Sequence, residues 1–171
     1  MTTQQLNYII FNTNMGWVGV VSSDTGLRRI ILPHPSEQEI RQQIGDSIGR
    51  ADQSPHLFQD LMKRFIRYYN GHKVNFPDKL DLSDGTEFRR RVWEASRPIP
   101  YGETRSYGWV AEKIKQPEAA RAVGQALGRN PLPIIVPCHR VLASGGGLGG
   151  FTSGLEMKKR LLRLEGAMVT L

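Results

Sequence analysis

Ile134-Ile135-Val136-Pro137-Cys138-His139-Arg140-Val141 contains the one cysteine of the 171-residue chain, set beside a histidine and directly after an apolar run. A lone thiol forms no intramolecular disulfide and holds no metal by itself, so any chemistry at Cys138 is that of a thiolate nucleophile. His139 is placed to accept or relay the thiol proton. Arg140 adds nearby positive charge, expected to favour the anion. Taken alone, a free cysteine more often serves as a small buried hydrophobe. The surroundings here shift that balance. Pro131-Leu132-Pro133 and Pro137 stiffen the approach, and Ser144-Gly145-Gly146-Gly147-Leu148-Gly149-Gly150 follows as a loop, so the thiol lies between a rigid arm and a mobile segment.

Working outward, the residues from Thr86 onward carry a helical pattern. Thr86 is a candidate N-cap for a helix through Arg97, and Ser106 for one through about Lys115. Gln116-Pro117 breaks the chain before a third helix, from about Glu118 to Arg129. The last two helices form a helix-turn-helix, an outline shared by many bundles. A fourth helix, Leu155 to Leu164, ends at Glu165 before a C-cap glycine, Gly166. An acid at a helix C-terminus opposes the dipole and would gain from a cationic partner, for which His139 is the candidate. Such a carboxylate would fix the imidazole tautomer and stabilise imidazolium, the logic of a Cys-His-acid triad. Neighbours on an extended segment point to opposite sides, so His139 is expected to reach the thiol through a water.

Before Pro77 the pattern differs. Leu6 to Phe11, Trp17 to Ser22 and Leu27 to Leu32 read as short strands separated by turns, a small antiparallel sheet. Ser36 with Glu39 forms a capping box for a helix carrying Ile40 and Ile44. Ser54-Pro55 starts a second helix that ends at Asn70-Gly71, with Leu57, Leu61 and Phe65 as its apolar face. Pro77 to Gly85 is a turn-rich connector. The fold expected is α/β in the α+β sense. Residues 1–80 form a supporting domain with a small antiparallel sheet and helices. Residues 81–171 form a mainly helical, winged helix-turn-helix-like domain that carries the cysteine.

Charge is unevenly placed. The net charge is +7; residues 81–171 carry 14 Lys+Arg against 9 Asp+Glu, and residues 1–80 carry 9 against 7. A basic excess on the cysteine-bearing half suits phosphate contacts. No window approaches a membrane-spanning length, and Met1-Thr2-Thr3-Gln4-Gln5 lacks the basic start of a secretory signal, so a cytoplasmic setting with reduced thiols is expected.

Asn130-Pro131-Leu132-Pro133-Ile134-Ile135-Val136-Pro137-Cys138-His139-Arg140-Val141 resembles the active-site signature of the O6-alkylguanine-DNA alkyltransferases. The resemblance extends in order through Pro100-Tyr101-Gly102-Glu103-Thr104, Ser106-Tyr107, Ala119-Ala120-Arg121-Ala122-Val123-Gly124 and Leu161-Leu162-Arg163-Leu164-Glu165-Gly166, about half of the chain. It implies direct reversal of DNA damage: Cys138 takes the alkyl group from O6-alkylguanine in double-stranded DNA, once per molecule, with nucleotide flipping. It implies His139 and Glu165 as its catalytic partners and Asn130 as a hinge tying the cysteine arm to the preceding helix. Arg121 would occupy the space left by the flipped nucleotide. The small residues Ala120, Ala122 and Gly124 would let the helix backbone approach a groove, although tight packing against a neighbouring helix explains them equally. Tyr107 would rotate the phosphate and hydrogen-bond the base, and Cys138, Val141, Phe151 and Thr152 would lie against it. The protein is expected to act as a monomer without a cofactor.

Two departures stand out. Phe151 replaces a tyrosine of many relatives, and Gly145 to Gly150 is unusually rich in glycine. A zinc site like that of some relatives has no ligand set here, since the other histidines are His34, His56 and His72, and no metal is expected. Three alternatives differ in kind. A lesion-binding protein that does not repair would have replaced the cysteine, which this chain keeps. A Cys-His hydrolase lacks a second signature histidine. A zinc deaminase would need P-C-x-x-C, and Pro137-Cys138 is not followed by that second cysteine.

Overall fold

The structure of the chain, a computed structural model, describes residues 4–151 and 153–167. It divides into two compact units, Met1–Leu82 and Ser83–Leu171.

In the first unit, β1 (Leu6–Thr13), β2 (Gly16–Ser23) and β3 (Gly26–His34) form an antiparallel meander. The run Tyr8-Ile9-Ile10-Phe11 is buried throughout, because helices cover both faces of the sheet. Successive strand residues point to opposite faces. Accordingly Tyr8 and Ile10 pack with Ile40 and Ile44 of α1 (Glu37–Ile44), while the Phe11 ring lies 6.4 Å from that of Phe65 on α2 (Gln59–Tyr69). The capping box that starts α1 is formed in full: Glu39 N–H donates to Ser36 Oγ at 3.2 Å, and Ser36 N–H donates to Glu39 Oε2 at 3.0 Å. Gly26 sits at φ +153°, and a Cβ there would meet Lys79 O at 2.5 Å. Only glycine lets the connector lie against the turn, where Leu27 N–H donates to Lys79 O and Asp81 N–H to Leu27 O.

Two expectations for this unit need correction. The sheet is not wholly antiparallel: β4 (Ala51–Gln53) adds to β1 in parallel, giving the order β3-β2-β1-β4. The second helix does not run from Pro55. Residues 55–57 form a single 3-10 turn, and α2 begins at Gln59. That break rotates Leu57 outward, to 56% exposure, and Phe58 takes its place in the core.

In the second unit, α3 (Glu87–Ser96) is capped by Thr86 Oγ1, which accepts from Arg89 N–H. The short β5 (Arg105–Ser106) leads into α4 (Tyr107–Lys113), whose first turn is closed by Trp109 N–H donating to Ser106 Oγ at 3.0 Å. The next helix is shorter than expected. Ala119 N–H bonds Gln116 O in a turn, so α5 (Ala120–Leu127) starts two residues after Glu118. α5 buries Val123, Ala126 and Leu127, and Trp93 Nε1–H of α3 donates to its Ala126 O at 2.8 Å. β6 (Val141–Leu142) pairs in parallel with β5. α6 (Leu155–Leu164) closes in a Schellman motif: Ala167 N–H reaches Leu162 O and Gly166 N–H reaches Arg163 O, with Gly166 at φ +68°. None of the helices, among the described residues, is long and apolar enough to cross a membrane.

Candidate active site

The arm before the cysteine is held by its own polar groups. Asn130 Oδ1 accepts from Leu132 N–H at 2.9 Å, and Asn130 Nδ2 donates to Val136 O at 2.8 Å, bending residues 130–136 into a closed loop at the end of α5. Within it Ile134 is buried at φ +76°, a left-handed conformation that a β-branched residue adopts at a cost of about 1 to 3 kcal/mol. Cys138, His139 and Arg140 then form one 3-10 turn. This corrects the expectation of an extended segment there. The strand geometry resumes only at Val141.

All three side chains of that turn are buried, and the last two converge on one acid. His139 Nε2–H donates to Glu165 Oε2 at 2.7 Å. Arg140 donates to both oxygens of Glu165, at 2.8 and 2.9 Å, and to Ile99 O at 2.6 Å. Gly102 N–H adds a fourth donor at 3.2 Å. Burial alone would raise the Glu165 carboxyl, but His139 and Arg140 outweigh it and hold the acid well below the usual carboxylate range. Burial pushes His139 below its ordinary value against the pull of Glu165, and the charges of Arg140 and Lys158 push the same way. The imidazole is therefore neutral near pH 7. With Nε2 committed to Glu165, Nδ1 carries the lone pair, and it is buried without a hydrogen-bond partner among the described residues.

Arg140 does not face the thiol as expected; its guanidinium belongs to Glu165. The cation that acts on Cys138 is Lys158 of α6, which the sequence reading missed. Burial pushes the Cys138 thiol up, and the Asn130 side chain, Lys158 and the backbone groups of Cys138 and His139 pull it down without cancelling that effect. The resting residue is a thiol, and a thiolate has to be formed by moving its proton. Lys158 is wholly buried and lies on the Leu161-Leu162 face of its helix. A lysine three and four residues before two core leucines was the available signal.

Cys138, 7% exposed, opens on a cavity of about 290 Å³ lined by Tyr107, Gly124, Leu127, Gly128, Gly150 and Phe151. Of the expected site residues, the structure thus brings Tyr107, Gly124, Cys138 and Phe151 to one space, while His139 and Glu165 are buried together outside its lining. Val141 is buried, and its carbonyl accepts from Lys158 Nζ at 2.8 Å. Arg121 lies in the first turn of α5, exposed and without a hydrogen bond or ion pair among the described residues. Ala120 and Ala122 are half-buried on the same helix, Ala122 facing a separate cleft with Arg89 and Arg129. Thr152 lies outside the described residues.

Comparison with known proteins gives a consistent result. Residues 87–167 match the family described as 6-O-methylguanine DNA methyltransferase, DNA binding domain. The chain is 39% identical over 160 residues to a methylated-DNA–protein-cysteine methyltransferase of Methanosarcina acetivorans, covering 94% of this chain and 98% of that one. It is 50% identical over 113 residues to the Mycolicibacterium paratuberculosis protein of that name, covering 66% and 68% of the two chains. It superposes with a TM-score of 0.78, at 37% identity, on a crystal structure of Mycobacterium tuberculosis OGT in complex with DNA, covering 94% of this chain and 92% of that one. By its sequence over nearly its whole length, the chain belongs to the methylated-DNA–protein-cysteine methyltransferase family.

Proposed function

We propose that this chain repairs O6-alkylguanine in double-stranded DNA by moving the alkyl group to Cys138 Sγ. The observation that carries the reading is a buried thiol, open to a cavity, followed in the same 3-10 turn by a neutral histidine whose Nε2–H is held by an ionised glutamate. His139 Nδ1 is then the base. It takes the Cys138 proton, directly or through a water, and Glu165 stabilises the imidazolium. The Asn130 amide, the backbone N–H groups of the 3-10 turn and the Lys158 charge hold the thiolate. Sγ attacks the alkyl carbon as the C–O bond breaks. The electron pair stays on the guanine oxygen, and the leaving guanine takes a proton from the Tyr107 hydroxyl in the cavity; the proton that His139 took from the cysteine passes back through solvent and restores Tyr107.

The reacting oxygen lies inside the stacked duplex, out of reach of a buried thiol, so the nucleotide has to be rotated out. In this reading Arg121 enters the duplex behind it, Ala120, Ala122 and Gly124 bring α5 close to the groove, and Val141, Phe151 and Thr152 border the flipped base. Asn130 acts as the hinge that sets the register of the cysteine arm. The product is a thioether, which has neither a hydrolytic nor a reductive exit, so each molecule reacts once. A cytoplasmic, reducing setting belongs to the same reading, because an oxidised thiol would be inert.

The test is mass spectrometry of the intact chain and its peptides after incubation with duplex DNA containing O6-methylguanine. One methyl group per chain, on the Cys138 peptide, is expected. Cys138→Ser binds the same duplex without gaining a methyl group, since a serine hydroxyl stays protonated near neutrality. Binding without transfer by the wild type would favour a lesion-recognition protein and overturn the repair reading.

A further inference from the structure

The outer face of α4 carries an aromatic and basic stripe that takes no part in the alkyl transfer. Tyr107 of this helix lines the cavity, and Val110, Ala111 and Ile114 are buried. Trp109 lies about 200° around the helix from Tyr107, so its half-buried indole turns away from that face. Two cations stand over the ring: the Arg105 guanidinium carbon is 5.4 Å from its centroid and Lys113 Nζ is 5.1 Å. The stripe continues past the end of the helix. Arg91 of α3 donates to Ile114 O at 2.5 Å, and Lys115 follows, exposed. Lys115 sits at φ +62°, where its N–H reaches Glu112 O and Gln116 N–H reaches Ala111 O. That left-handed cap position favours glycine, and a lysine holds it at an energetic cost. Two acids share the stretch. Glu103 pairs with Arg105 at 3.1 Å but is half-solvated, a weak pair that a stronger anion displaces, and Glu112 is exposed. Against Arg91, Arg105, Lys113 and Lys115, they leave the stripe basic.

We propose that Arg105, Trp109, Lys113 and Lys115 form a second nucleic-acid site, separate from the cavity, that grips single-stranded DNA. Cations alone would suit any polyanion, and the backbone of a duplex needs no aromatic ring. An accessible indole among cations fits unpaired bases, which stack on its π-face whatever their identity, while the cations take the phosphates. The ring contacts hold the long Arg105 and Lys113 side chains in place beforehand, so less of their freedom is lost when DNA arrives. A base that reaches the ring sends Lys113, the exposed one of the two, to a phosphate. Because stripe and cavity lie on different sides of α4, one chain can hold a single strand while its cavity engages a duplex.

Fluorescence anisotropy of a labelled oligo-dT of about eight nucleotides tests this on the full chain, with and without a saturating short undamaged duplex. The wild type binds the oligonucleotide in both cases, and binding quenches its tryptophan emission. Trp109→Ala weakens this binding at least about fivefold; Trp109→Phe, which keeps a ring, weakens it less and abolishes the quenching. Lys113→Gln combined with Lys115→Gln, both at exposed positions, lowers the slope of log K against log salt by about 1.4, as expected for two single-strand phosphate contacts. Affinity for the duplex changes by less than about twofold in every variant, since the duplex is held elsewhere. An oligonucleotide that the duplex displaces, or an affinity that Trp109→Ala leaves unchanged, overturns the second site. If Trp109→Ala does not fold, the lysine pair and Trp109→Phe decide in its place: an unchanged salt slope or retained quenching overturns the site.

Discussion

Glu165 Oε2 accepts the His139 Nε2–H at 2.7 Å while both carboxylate oxygens are also held by the Arg140 guanidinium, so one buried acid orients a neutral base and neutralises a buried cation. The two tasks are separable. Orientation concerns only the imidazole tautomer, whereas neutralisation concerns the stability of the second unit. Removing one member of a buried ion pair leaves the other charge uncompensated.

Glu165→Gln is expected to destabilise the second unit by about 3 to 5 kcal/mol at neutral pH, read from urea unfolding. The wild type is also expected to weaken in acid. Glu165 is held below its ordinary value of 4.5, so its contribution is complete above that pH and is lost as the pH falls through the lower folded value. His139 is held below 6.5, so folding favours its neutral form, and that contribution shrinks as the pH falls below 6.5. Stability should decline from about pH 6.5 downward, and Glu165→Gln should lose the part below 4.5. A flat profile for the wild type would show that neither group is coupled to folding.

Arg121→Ala is expected to slow transfer from duplex DNA by about tenfold or more while changing reaction with free O6-methylguanine base by less than about twofold, since only the duplex needs a flipped state held open. Arg121 is exposed and has no hydrogen bond or ion pair among the described residues, so its removal has no cost to the fold comparable to that of Glu165. Single-turnover rates on the two substrates decide the matter. Equal losses would reject the role.

Gly149 is at φ +69°, and a Cβ there would meet the Tyr107 hydroxyl oxygen at 2.2 Å. Gly149→Ala is therefore expected to cost about 1 to 2 kcal/mol from the backbone alone and to displace Tyr107 or the glycine segment. Tyr107 lines the cavity, so transfer should slow more than stability falls. Gly147→Ala is the control, because a Cβ at that position meets only Ala143 Cβ, at an ordinary 3.7 Å. Equal rates for the two variants would show that the Gly149 approach to Tyr107 is immaterial to the reaction.

What could be read from the residues alone was mostly local. The Ser36-Glu39 box and the Thr86 and Ser106 caps lie within a few residues of the groups they satisfy, and they appear where the pattern places them. β4 escaped because it is three residues long and pairs with a strand more than 40 positions away. Leu57 was misplaced because a 3-10 turn and an α-helix share their first apolar spacing and then diverge. The roles of Arg140 and Lys158 depended on which cation lay nearest which anion. Adjacency in sequence suggested Arg140 for the thiol, but the 3-10 turn sends its guanidinium to Glu165, and the cation near Cys138 comes from a helix 20 residues further on.

The coupling of His139 to Glu165 makes the sharpest kinetic claim. If the glutamate holds Nε2–H so that Nδ1 can take the thiol proton, then His139→Phe and Glu165→Gln should each slow transfer, and the double variant should lose less than the sum of the two, because either change already disables the relay. The pH dependence separates a relay from simple packing. In the wild type the single-turnover rate should be flat near neutrality and fall in acid with a midpoint below 6.5, where His139 takes up a proton. In His139→Phe that acid limb should vanish, and the rate should instead climb with pH toward the value of the Cys138 thiol itself, which burial holds above 9.0. Glu165→Gln, which keeps an acceptor oxygen but not its charge, should leave His139 in place with a weaker preference for imidazolium, shifting the acid limb lower still. Rates for all four proteins across this range, each checked for folding, test the scheme. Additive losses, or a His139→Phe profile that keeps the wild-type acid limb, would make Glu165 a packing residue and leave Cys138 to be activated by Asn130, the backbone N–H groups and Lys158.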